Sequence, residues 1–197
     1  MSEEQLPIEG KENQDCELTL KDAANLNDHV SVKKFLEESR RENPEDDQFF
    51  LGENHKIFFK SIDEEHYETV EVFLEMGFSA SNHGRFQHKD KMTPLHIASA
   101  KLNVKMMELL LEKGADINAT NQAKESCLHY VIKNGDYKSD LQYGSDSEKE
   151  EKCKECLKLL FGHKDLDINA QNSRGWTALH LAAIQRNDTY VTELIKR

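Results

Sequence analysis

Basic residues are in short supply: 26 Lys and Arg stand against 37 Asp and Glu, giving a net charge of −11. Nucleic acid and anionic membrane surfaces both need clustered cations, so this balance argues against either as a partner. No apolar run approaches the roughly 20 residues that a spanning helix requires, so no direct membrane insertion is expected within this chain. The N-terminus, Met1-Ser2-Glu3-Glu4-Gln5, is acidic and lacks the apolar stretch of a secretory signal. Four cysteines in such a chain are expected to stay reduced. A Gly-rich phosphate loop, a convincing pair of carboxylates and a nucleophile beside an orienting base are all missing, so neither an enzyme nor a cofactor is expected. The expectation is a cytoplasmic protein whose partners are other proteins.

What the chain does have is a repeat. Thr93-Pro94-Leu95-His96-Ile97-Ala98 returns as Thr177-Ala178-Leu179-His180-Leu181-Ala182, and Leu128-His129 lies 33 residues after Leu95-His96. A second landmark keeps the same frame: Gly114-Ala115-Asp116-Ile117-Asn118-Ala119 closes one unit and Asp167-Ile168-Asn169-Ala170 the next. Five units fit, at spacings of 38, 37, 33 and 51 residues. Stacked units that touch only their neighbours tolerate such insertions in loops. Hydrophobic content of 37% is modest, but a stack shares one thin continuous core.

These motifs resemble the ankyrin-repeat family, whose signature is Thr-Pro-Leu-His-x-Ala at a period of about 33 residues. The resemblance implies an all-α solenoid of helix-turn-helix units with β-hairpin fingers, binding proteins on a concave face lined by the fingers and inner helices. It covers about residues 18–197 and is most specific at 90–122 and 172–197. Residues 1–16 read as a disordered acidic leader, 17–54 as a degenerate unit plus acidic linker containing Pro44, and 55–89 as a second degenerate unit. Residues 90–122 form the near-ideal repeat. Residues 123–173 form a repeat with an acidic insertion at 136–151, its second helix beginning near Lys152. Residues 174–197 form a last repeat, incomplete at its C-terminus. Arg197 stands one place before the expected glycine stop, so the array is expected to continue in a longer protein.

Individual residues divide into structural and functional candidates. Thr93 and Thr177 are placed to cap helices, and Pro94 fits a first turn where a missing N–H costs nothing. Gly77 and Gly114 sit where a helix must stop in a left-handed conformation. By the resemblance, His96, His129 and His180 hold a repeated slot that staples units together. Trp176, the single tryptophan, occupies a tip-side slot shared with Met92 and Glu125. With Lys124 and Arg174 these are the candidate partner-binding residues; the alternative for Trp176 is packing against the neighbouring hairpin. Ser145 and Ser147, each with a Glu three places on, are candidate phosphorylation sites in a solvated spacer. Asn118 sits at a spacing similar to ankyrin sites of asparaginyl hydroxylation, its alternative role being to brace a turn. Cys153 and Cys156 form a CxxC, yet without a second pair they read more simply as core residues.

A narrower resemblance also exists. The degenerate leading units, the split fourth unit and Leu159-Leu160-Phe161-Gly162-His163-Lys164-Asp165-Leu166-Asp167-Ile168-Asn169 look like the cytosolic N-terminal array of painless-type TRPA cation channels. Three classes therefore stand: a free adaptor, the cytosolic part of a channel, and a regulatory region attached to an enzyme.

Overall fold

The computed structural model describes residues 19–42, 52–81, 91–135 and 147–197. Ten helices occupy these residues: α1 (Leu20–Asn25), α2 (His29–Glu42), α3 (Gly52–Asp63), α4 (Tyr67–Glu75), α5 (Pro94–Ala100), α6 (Val104–Glu112), α7 (Cys127–Asn134), α8 (Ser147–Phe161), α9 (Ala178–Ile184) and α10 (Asp188–Ile195). They pair in chain order into five units. The odd-numbered helices form one continuous row, each against the next, while α2 packs on α4 and α6 on α8 in a second row. This is the all-α solenoid that the repeat implies.

Four inner helices begin with the same reciprocal cap. Thr19 pairs with Asp22, Thr93 with His96, Ser126 with His129 and Thr177 with His180. Each satisfies N–H groups that a helix start leaves unpaired. The capping bonds hold the Asp22 carboxyl below its ordinary range, and those from Ser31 do the same at Asp28. The turns between paired helices share a second device: Asn27, Glu65, Leu102 and Arg186 all adopt left-handed φ of 53–63°. Asn103 and Asn187 then cap α6 and α10 through Met106 N (3.0 Å) and Tyr190 N (3.2 Å). Gly77 and Gly114 stop α4 and α6 at φ of 99° and 85°, as expected.

The core is a thin sheet of side chains between the rows. In the first unit Ala23, Ala24, Val32 and Leu36 are buried. In the second, Phe58, Phe59, Phe73 and Phe78 replace small residues. Their rings meet one another, with the Phe73 and Phe78 rings edge-on at 4.9 Å. Edge-on contact suits the ring quadrupoles and fills the unit without widening it.

Two boundaries move. Helix α2 continues to Glu42 and α3 starts at Gly52, so helix reaches into both ends of the segment expected as the acidic linker. Pro44 and the leader 1–16 lie outside the described residues. Within the expected 136–151 insertion, residues 147–151 are helical, because α8 begins at Ser147 rather than near Lys152. Glu148 and Glu150 favour the positive end of the helix, and Lys152 and Lys154 pair with them at 2.8 Å each.

Candidate protein-binding surface

Fingers join the units, and asparagine builds them. Asn121 Oδ1 accepts from Ala123 N and Glu125 N, both at 2.9 Å; Asn172 Oδ1 accepts from Arg174 N (2.9 Å) and Trp176 N (3.0 Å). Each finger is closed by two backbone bonds: Asn121 N donates to Glu125 O and Lys124 N to Asn121 O in one, Asn172 N to Trp176 O and Gly175 N to Asn172 O in the next. Among the described residues no β-strand forms, because these hairpins are too short for a ladder. The tips turn through left-handed Lys124 and Gly175, at φ of 56° and 76°. Ser173 N donates to Ala123 O at 2.8 Å, tying one finger to the next. Sequence reasoning did not single out Asn121 and Asn172. Their signal was present: both stand five places before the residue capping the next helix.

Two of the three histidines fasten neighbouring units. His96 Nδ1 accepts from Thr93 N (3.1 Å), which places the ring hydrogen on Nε2, and Nε2 donates to Glu125 O at 2.9 Å. His129 repeats this with Ser126 N (3.2 Å) and Trp176 O (3.0 Å). His180 holds the Thr177 cap at 3.2 Å and is exposed. Each histidine therefore caps its own helix, and the first two also fix the following finger.

The candidate contact residues fall on these fingers. Lys124 is exposed at one tip, and Arg174 at the next, with its guanidinium 5.7 Å from the Trp176 ring. Trp176 is half-buried and packs on the core edge. Glu125 turns inward, where Lys133 Nζ donates to both carboxylate oxygens at 3.1 Å. Met92 is half-buried one finger earlier, directly before the Thr93 cap. Lys124, Glu125, Arg174 and Trp176 thus share two bonded fingers, and Met92 stands apart from them.

Other candidates sit elsewhere. Asn118 bridges two units: Nδ2 donates to Asp165 O, and Oδ1 accepts from Asp167 N at 2.8 Å. Ser147 is the first residue of α8, and Ser145 lies outside the described residues. Cys153 and Cys156 are buried in the core beside Cys127. Burial pushes their thiols up, to about 11 for Cys153 and about 12 for Cys156 and Cys127. A thiolate is what binds metal or attacks a disulfide, and burial disfavours that form at both positions of the CxxC. Among the described residues no cluster of three metal-ligating side chains forms.

No helix among the described residues is long and apolar enough to cross a membrane. Family models for ankyrin repeats match residues 20–121 and, separately, 103–143 and 149–196. A "Probable serine/threonine-protein kinase" of Dictyostelium discoideum is 34% identical over 95 residues, covering 48% of this chain and 10% of the relative. The nuclear factor NF-kappa-B p105 subunit of Gallus gallus is 30% identical over 158 residues, 69% of this chain and 16% of the relative. The transient receptor potential cation channel subfamily A member 1 of Homo sapiens is 26% identical over 137 residues, 67% and 11%. The chain thus spans between 10% and 16% of the length of these relatives. Repeats of this kind are protein-interaction modules. The chain belongs to the ankyrin-repeat family.

Proposed function

We propose that this chain acts as an adaptor segment that captures partner proteins on the face formed by its fingers and inner helices. One observation carries the reading: two consecutive fingers, locked by the same asparagine geometry and bonded together, hold Lys124, Arg174 and Trp176 as a fixed array. A preorganised array loses little side-chain and loop entropy on binding, and a half-buried tryptophan is a frequent energetic anchor. Selecting peptides from a random library on the folded chain, then mapping amide exchange with and without them, tests it. Protection should concentrate on residues 121–135 and 172–184, and Trp176→Ala should weaken the selected peptides about tenfold or more. Protection confined to α6, α8 and α10 would refute the reading.

A second reading is supported by the similarity to the subfamily A member 1 channel: the segment serves as the cytosolic array of a cation channel. Sequencing the parent transcript tests it. The channel reading requires a block of apolar segments of about 20 residues each beyond Arg197. A kinase or ubiquitin-ligase module there would instead make the segment the regulatory region of an enzyme.

A further inference from the structure

The fold sorts charge in a way that net composition conceals. Inner helices α5, α7 and α9 carry no acidic residue and a single base, Lys133. Outer helices α6, α8 and α10 carry eight acidic residues against five basic ones. The acids Asp116, Asp165 and Asp167 lie before the finger tips, where Asp116 and Asp167 accept from the backbone of Asn118 and Asn169 two places on; at the tip itself Glu125 is paired with Lys133. The exposed charged side chains at these two finger tips are Lys124 and Arg174, with Trp176 half-buried beside Arg174 and Tyr130 half-buried on α7. Lys133 Nζ lies 5.4 Å from the Tyr130 ring, and Arg174 lies similarly close to Trp176. In a chain of net charge −11 this is a cationic, aromatic face on an otherwise acidic molecule.

We infer that the occupant of this face is an extended acidic peptide segment of a partner protein, carrying an apolar or aromatic side chain that rests on Trp176. The inference rests on the adaptor reading and specifies its partner chemistry. Packed helices lie about 8–10 Å apart, and an extended chain advances about 3.3 Å per residue. Acidic residues three apart would therefore meet successive fingers, Lys124 on one and Arg174 on the next. Arginine offers a planar fork matched to a carboxylate, and lysine adds a point charge. A nucleic acid fits less well: tight backbone binding draws on roughly six to ten phosphate contacts, more cations than these fingers supply.

The test is fluorescence anisotropy with a fluorescein-labelled peptide about nine residues long, with glutamate at every third position and one phenylalanine between. Its partners are the same peptide with glutamine for glutamate, and oligouridylate of matching length. The acidic peptide should bind, weaken about tenfold or more in the Lys124→Glu/Arg174→Glu chain, and weaken again at high salt. Both positions are exposed, so the double variant should fold, as circular dichroism would verify; Glu108→Lys/Glu112→Lys on the outer row should leave binding unchanged. Equal binding of the glutamine peptide, tighter binding of oligouridylate, or indifference to the double variant would overturn the inference. If library-selected peptides protect the fingers but show no acidic bias, this inference fails and the adaptor reading survives. If they protect only the outer row, both fail.

Discussion

Gly135 ends α7 where the chain leaves the repeat frame, and the last helix depends on it. Tyr190 of α10 is fully buried and donates its hydroxyl to Gly135 O at 3.1 Å. A Cβ at Gly135 would collide with Cys153 Sγ and stand 2.8 Å from the Tyr190 hydroxyl. The φ there is −76°, ordinary for any residue, so the need for glycine is steric. Gly135→Ala should therefore destabilise the chain by about 1–3 kcal/mol in urea unfolding. A stability equal to the parent would mean that α10 does not seat against α7. The buried thiols give a second prediction. Their folded pKa values of about 11 to 12 lie above the ordinary value of 9.0, so the folded state retains protons that the unfolded chain releases. Stability is then fully present below pH 9 and falls as pH climbs from about 9 toward 12, by at most about 1.4 kcal/mol per thiol per pH unit. Replacing Cys127, Cys153 and Cys156 by alanine should flatten that decline; an unchanged slope in pH-dependent urea melts would exclude the thiols as its source.

Helix starts show how far local chemistry reaches. Thr93, Thr177 and the histidines three places on announce their own caps, because the partners lie within one turn of chain. The start of α8 has no such mark, since its extra turn depends on ion pairs four residues apart in a stretch rich in both signs. The structure consequently adds 147–151 to the helix. Finger asparagines were overlooked for a related reason: Asn121 and Asn172 act on backbone two and four places ahead, a pattern with no apolar period to expose it. Trp176 is tied into the stack at two points: its carbonyl accepts from His129, and its half-buried ring lies beside Arg174.

Across the whole molecule, units touch only their neighbours, so damage should stay local. Ala182 is completely buried between α9 and its neighbours, whereas Leu179 on the same helix is 38% exposed. Ala182→Asp places an unpaired carboxylate in that core, at a cost on the order of 3–5 kcal/mol. Amide-exchange protection should vanish over α9 and α10 while α5 and α6 keep theirs; uniform loss would reveal a single cooperative block. Leu179→Asp should have the weaker effect. The repeat, its caps, the histidine slot and the glycine stops were determined by the sequence alone, because each depends on neighbours within a few residues or on a fixed period. The meeting of Tyr190 with Gly135 and the separation of basic fingers from acidic outer helices were decided only by tertiary structure. Both depend on which surfaces face each other after stacking, across separations of about 50 residues that carry no period.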